Sequence, residues 1–169
     1  MMKSNHVVLA SILLLLNASA FAATDSDSQE SVNKRRNANF KLDYTKACGQ
    51  ELQQALLLPA TKELAAQHEI NVNIDSGHRF KMNENGVGYL QLAITEWNEK
   101  LVLFYSENMT VEIKGADMTD LYLSNLACSE QKKQISHVNT HEWGSYVMEL
   151  NAEPNSWVEL TIVKETTKD

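Results

Sequence analysis

Two histidines four positions apart, His137 and His141, have the spacing in this chain that comes nearest to a metal site. On a helix this spacing would place both imidazoles on one face, where they could bind zinc together with the adjacent Glu142. The segment HVNTHEW instead has the pattern of a strand end followed by a loop, so the two rings need not converge. We interpret both as exposed loop histidines and expect no metal or cofactor, while metal binding by this pair stays open.

Hydrolytic chemistry would need a nucleophile, a base and an orienting carboxylate within hydrogen-bond reach of one another. No G-x-S-x-G pattern frames a serine. Asp117 and Asp120 in the turn GADMTD could serve acid–base chemistry or bind calcium, but carboxylates in such a turn more often cap the backbone. We therefore expect a protein that is not an enzyme.

Tryptophan is the residue type that favours binding in this sequence. Trp97 and Asn98 lie in a predicted hairpin turn, and a tryptophan exposed there would bury a large area on binding with few rotatable bonds. A tryptophan folded back over the end of the sheets is an equally good interpretation of Trp97. For Trp143 and Trp157, at strand edges, plugging the core is the favoured interpretation. Trp97, Asn98 and Trp143 are the candidate binding residues.

The chain has two cysteines, Cys48 and Cys128. They form no C-x-x-C motif and neither has a histidine close in sequence, which favours a structural disulfide over a redox or metal role. A bridge between them would close a loop of about 80 residues and contribute on the order of 4 to 5 kcal/mol.

The first 22 residues have the pattern of a cleaved export signal. Lys3 precedes an apolar run over 7–18, and Ala20-Phe21-Ala22 forms an A-x-A cleavage site. The run is too short for a comfortable membrane span. We expect a periplasmic or secreted protein with no membrane insertion after cleavage, in a compartment where a disulfide persists.

Cleavage would leave 147 residues with 22 acidic and 14 basic side chains, a formal charge of −8. This length fits one domain. An acidic chain has little long-range attraction for nucleic acid or anionic membranes, so neither is expected as a partner. A basic protein, such as a hydrolase or a toxin, would be attracted to it.

The polar segment 23–40 is predicted to be flexible, with Lys34, Arg35 and Arg36 solvated. Apolar spacing then predicts a helix from near Tyr44. At Pro59 it either kinks or restarts as a second helix that ends near His68. After position 69 the period changes towards two. Strands are predicted over 70–74, 89–95, 101–105, 110–114, 120–123, 134–138, 146–150 and 158–163.

The fold class that follows is mainly β with a helical part (α+β). Seven or eight short strands separated by turns predict an antiparallel β-sandwich or a small barrel. The N-terminal kinked helix would be stapled to it by the disulfide. The predicted domain covers residues 41–165.

The succession of strands over residues 88–163 resembles bacterial pre-peptidase C-terminal domains and the related periplasmic inhibitors of lysozymes. Gly115, Asp117, Asp120, Leu121 and Tyr122 match the Gly-Asp-x-x-Leu-Tyr-like element of those families. Gly144 and Tyr146 match a later Gly-x-Tyr strand. The resemblance implies a β-sandwich. It offers no inhibitory loop that can be placed on this chain, and one sandwich supports many functions.

Two functions follow as expectations. The first is an exported, non-catalytic protein that binds another protein, with an inhibitor or immunity factor against a cell-wall hydrolase or toxin as its sharper form. The alternative is an accessory module of an envelope assembly that binds a small ligand, either a carbohydrate, a metal or a lipid-like molecule.

Overall fold

The computed structural model describes residues 24–131 and 133–166, so the predicted export signal over 1–22 lies outside the described part. The described chain is mainly β, with two α-helices, two short 3-10 helices and ten strands. The α-helices are α1 (Thr24–Asn39) and α2 (Lys41–Cys48). The 3-10 helices are Lys62–Gln67 and Ser129–Gln131. The strands are β1 (Leu52–Leu57), β2 (Glu69–Asn71), β3 (Ser76–Lys81), β4 (Val87–Ile94), β5 (Glu99–Ser106), β6 (Thr110–Ile113), β7 (Asp117–Ser124), β8 (Lys133–Thr140), β9 (Gly144–Asn151) and β10 (Trp157–Lys164).

The strands form two sheets. One has six strands in the order β1-β3-β10-β5-β8-β7, and the other has four in the order β2-β4-β9-β6. Most neighbours are antiparallel, as predicted, but β1 pairs with β3 and β2 with β4 in parallel. Both sheets are therefore mixed, and the expectation of purely antiparallel sheets is wrong. Both retain free edges, so the described residues form no closed barrel.

All eight predicted strands have a counterpart, and β1 and β3 are the two that the sequence did not indicate. The alternation that predicted the strands is present in the burial. Along β4 the buried positions are Leu90, Leu92 and Ile94, and along β10 they include Leu160 and Ile162. These side chains belong to one hydrophobic cluster to which both sheets contribute. Burial of each such side chain stabilises the fold by roughly 1.5 to 3 kcal/mol.

The predicted kinked helix over 44–68 is wrong in its extent. Helix α2 ends at Cys48, and residues 52–57 form β1, in which all six side chains are exposed. Leu52 and Leu56 are four apart, which a helical stripe requires, but their backbones pair with β3 instead. Helical spacing of leucines alone does not exclude an edge strand. After Pro59 the chain forms only the short 3-10 helix Lys62–Gln67.

The segment 23–40, predicted to be flexible, contains helix α1. Residues 24–39 include no glycine or proline, so nothing in the backbone opposes a helix. Asn37 connects its end to the body of the protein, donating to the Ser124 carbonyl at 3.0 Å and accepting from the Leu126 N–H at 2.9 Å. Lys34 is solvated as predicted, whereas Arg36 pairs with Asp120 and is partly buried.

Helix α2 packs on the outer face of the six-stranded sheet. Phe40, Tyr44 and Ala47 join a second buried cluster that includes Val102 and Phe104 of β5. The predicted disulfide is confirmed, with Cys48 and Cys128 Sγ atoms 2.04 Å apart. It joins the end of α2 to the chain between β7 and β8.

The C-terminal segment is held against α2. Asp43 lies inside α2 and is buried. Its carboxylate accepts from the backbone N–H of Thr166 at 3.2 Å. The polypeptide that follows β10 is therefore fixed to the helix that precedes β1.

Candidate functional site

Two loops that join the sheets lie at the same end of the molecule. The loop 95–98 connects β4 to β5, and the loop 141–143 connects β8 to β9. Ile94 pairs with Gly144 in one sheet, and Glu99 pairs with Thr140 in the other. Both ends of one loop are thus next to both ends of the other. We call the two loops together the tryptophan end.

Trp97 and Trp143 are both exposed at this end, with 62% and 63% of their surfaces accessible. The hairpin predicted around Trp97 is wrong, because β4 and β5 belong to different sheets. The favoured interpretation of Trp143 as a core plug is also wrong. The structure places the two predicted binding tryptophans on neighbouring loops, each with most of its ring available to a partner.

Asn98 has a backbone role. Its φ is +52°, in the left-handed region that asparagine tolerates better than most residues. It turns the chain from Trp97 into β5. Asn98 therefore fixes the path of the loop that carries Trp97.

The loop 95–98 is tied down on both sides of Trp97. The Asn73 side-chain amide donates to Thr95 Oγ1 at 2.7 Å. The Lys164 ammonium lies 2.9 Å from a Glu96 carboxylate oxygen and 2.7 Å from one of Glu99. Hydrogen bonds to Glu99 and then Glu96 raise the pKa of Lys164 above its usual value. These contacts fix the chain on both sides of Trp97, which reduces the entropy cost of ordering this loop on binding.

The loop 141–143 is similarly anchored. The Tyr146 hydroxyl donates to the Glu142 carbonyl at 3.0 Å and accepts from the Glu142 N–H at 3.2 Å. His141 Nε2 lies 2.7 Å from Asp117 Oδ2. Gly144, at φ +142°, provides the turn into β9.

The two histidines with possible metal spacing do not form one site. His141 is exposed beside Asp117, as predicted, but His137 lies buried in β8, so its interpretation as an exposed loop histidine is wrong. Asp117 and Asp120 do not form a shared site either, because Asp117 contacts His141 and Asp120 pairs with Arg36. Among the described residues, no group of three or more His, Cys, Asp or Glu side chains could hold a metal ion.

His137 belongs to a buried polar chain that the sequence did not indicate. Its Nε2 lies 2.8 Å from the Tyr44 hydroxyl, and its Nδ1 lies 2.8 Å from a Glu165 carboxylate oxygen. Burial raises the pKa of Tyr44, so the phenol keeps its proton. Both ring nitrogens of His137 thus have a hydrogen-bond partner. These bonds join α2, β8 and the C-terminal segment. A cavity of about 200 Å³ lies beside them.

The third tryptophan, Trp157, was expected to plug the core and is instead 47% exposed. It lies on the outer face of the six-stranded sheet, with the Arg79 guanidinium 5.1 Å and the Lys81 ammonium 5.7 Å from its ring centroid. The alternation of β10 could have placed it correctly, since Val158, Leu160 and Ile162 point inwards and Trp157 falls on the opposite face.

A groove of about 580 Å³ lies between the free edges of β6 and β7. Val111, Met118 and Tyr122 are among the residues that line it. Asp120 and Tyr122 have φ of +52° and +62°, where the β7 register shifts. Positive φ at these non-glycine positions marks local strain.

The chain matches no protein-family model, no curated protein and no solved structure. The resemblance to pre-peptidase C-terminal domains and lysozyme inhibitors therefore stays an expectation from the sequence. Within the described residues, no helix combines the length and apolar character needed to cross a membrane.

Proposed function

We propose that this chain is an exported, non-catalytic protein that binds another protein through the tryptophan end. The observation that carries the proposal is the exposure of Trp97 and Trp143 on two anchored, neighbouring loops. Binding hot spots are enriched in tryptophan, and fixed loops lose little entropy on binding. The disulfide supports a location in an oxidising compartment.

The net charge of the chain favours a basic protein as the partner. The chain carries a formal charge of −7, or −8 after the predicted cleavage. Such a charge accelerates association with a basic protein at low salt. The sharper form of the proposal is an inhibitor or immunity factor that blocks a basic cell-wall hydrolase or toxin. A β-sandwich that presents loops at one end is the architecture we propose for this role.

The test begins with affinity capture from periplasmic and culture fractions, using the oxidised mature protein as bait, and identification of a stoichiometric partner. Binding of that partner is then measured to the Trp97→Ala and Trp143→Ala variants. We expect each change to weaken binding by about 30-fold, the effect of a typical hot spot, with nearly the same melting temperature.

Leu126→Ala is the matched control, because Leu126 is an apolar side chain 51% exposed before β8, at the opposite end of that strand from the loop 141–143. This variant should bind as the unaltered protein does. Equal binding by all three variants would contradict a role for the tryptophan end. A large loss of stability in Trp97→Ala would mean that this tryptophan serves the fold.

A small-ligand module is the second candidate, and the groove between β6 and β7 favours it. Its volume of about 580 Å³ lies within the usual range of ligand sites. A free monomer that is stabilised by sugars, calcium or lipid-like molecules, with loss of the effect in Tyr122→Ala, would support this function over the first.

A further inference from the structure

The free edges of the two sheets differ in their protection. Strand β7 carries Asp117 and Asp120, β6 carries Glu112, and β2 carries Glu69. Strand β1, with the sequence LQQALL, carries no charged residue. Proteins commonly protect an exposed edge with charges, since its unpaired N–H and C=O groups would otherwise accept another strand. Among the described edges, β1 is the one without this protection.

The sheet surface next to β1 combines apolar and cationic side chains. The register pairs Leu57 with Lys81, and Lys81 with Trp157, so these three share one row and one face. Leu57 is 61% exposed. Arg79 lies on the same face as Lys81, two residues earlier in β3, and both lie over the Trp157 ring. We call Leu57, Arg79, Lys81 and Trp157 the β1 face.

The two cations of the β1 face have no ion-pair partner, although the chain as a whole is acidic. Neither Arg79 nor Lys81 forms an ion pair with any described carboxylate, and their described partner is the Trp157 ring. Glu159, opposite Arg79 in the register, pairs with Lys133 at 3.3 Å instead. Helix α2 covers the part of the same sheet face around Val102 and Phe104 and leaves the β1 face open. Two unneutralised cations on a chain of charge −7 favour an anionic occupant.

We infer that β1 accepts an extended, acidic segment of a partner protein as an added strand. Main-chain hydrogen bonds along β1 would supply affinity. The added strand would lie two strands from β3, about 9.5 Å away, so carboxylates of the segment would be attracted by Arg79 and Lys81 across β1. This inference rests on the proposed protein-binding function and adds to it a second surface and its chemistry. A lipid surface fits less well, because strand-edge N–H and C=O groups would lack partners in hydrocarbon. A second copy fits less well too, since it would bring like cations together.

The probe is a fluorescent seven-residue peptide of alternating valine and glutamate, compared with its valine–lysine counterpart. Polarisation should show binding of the acidic peptide alone. Hydrogen exchange should show slower exchange of β1 amides when it is bound. The double variant Arg79→Glu with Lys81→Glu should weaken binding at least about tenfold, because two attractions become repulsions. Leu57→Glu, which places a negative charge beside the edge, should weaken it as well.

The matched control is Lys62→Glu with Lys114→Glu, which makes the same change in net charge at exposed positions outside the β1 face. An equal loss in this control would show that only long-range charge matters and would overturn the inference. Equal binding of the lysine peptide would overturn it too, and so would unchanged hydrogen exchange of the β1 amides. Binding of anionic vesicles that the same variants weaken equally would overturn it in favour of a lipid surface. A dimer of the protein alone that Leu57→Glu dissociates would overturn it in favour of self-association. These measurements use a synthetic peptide, whereas the variants of Trp97 and Trp143 are tested for binding of the captured partner. Failure of one proposal can therefore be distinguished from failure of the other.

Discussion

Removal of the disulfide should cost this protein a large part of its stability. The bridge joins residues separated by 80 positions. For a loop of that length, the chain-entropy relation gives about 4.5 kcal/mol at 25 °C. Domains are stable by only about 5 to 15 kcal/mol in total. The double variant Cys48→Ser with Cys128→Ser is therefore expected to fold marginally.

Urea unfolding followed by tryptophan fluorescence measures this loss. With a slope near 2 kcal/mol per molar urea, the midpoint should fall by about 2 M. The slope itself should rise, because an unfolded chain without the cross-link exposes more surface. The unaltered protein unfolded in reducing buffer is the control and should give the same midpoint as the variant.

A midpoint that falls by less than about 0.5 M would refute the reasoning. It would mean that the unfolded chain gains little freedom when the bridge is removed. The attachment of α2 would then depend on the packing of Phe40 and Tyr44 rather than on the bridge.

Three further changes test the packing and the buried polar groups. Gly88→Ala should lower the free energy of unfolding by about 1 to 3 kcal/mol, because the added Cβ would lie 2.6 Å from the Leu58 side chain. Tyr44→Phe should cost about 1 to 3 kcal/mol, since it leaves His137 Nε2 buried without its partner at 2.8 Å. Urea titration measures both. Burial lowers the pKa of His78. The unfolded chain therefore binds the proton more readily, and stability should fall as the pH drops from about 6.5 through the lowered folded value. Comparison with His78→Gln over this pH range measures that contribution.

Each of these three predictions has a result that would contradict it. Full stability of Gly88→Ala would show that Leu58 can move aside. Tyr122→Phe, at an exposed tyrosine, is the control for Tyr44→Phe, and an equal small effect in both would remove the argument from the buried bond. An unchanged pH profile in His78→Gln would show that another group causes the acid sensitivity.

The sequence contains enough information to predict most strands, because their alternation is imposed by burial on one face. Strand β4 shows this well, with Leu90, Leu92 and Ile94 buried and the residues between them only half-buried. The sequence misleads at β1, where leucines spaced four apart lie in an edge strand with no buried face. Without a buried face, side-chain pattern does not distinguish strand from helix.

In the candidate site, too, some features could be predicted from the sequence and others could not. The residue type and loop position of Trp97 are visible in the sequence, and so is its value for binding. Its proximity to the loop of Trp143 depends on the pairing of Ile94 with Gly144, which are 50 positions apart in the chain. Neither that register nor the contact of Tyr44 with His137 leaves a local pattern. Apart from the disulfide, which the presence of just two cysteines predicted, such pairings between distant segments could not be predicted from the sequence.

The position of the last strand has a consequence for biosynthesis. Strand β10 lies between β3 and β5, in the interior of the six-stranded sheet, and Thr166 just beyond it binds Asp43. A nascent chain that has not yet released residue 164 lacks the strand that joins β3 to β5. This sheet therefore cannot assemble before residue 164 has left the ribosome, and deletion of residues 157–164 would remove its interior strand rather than trim its periphery.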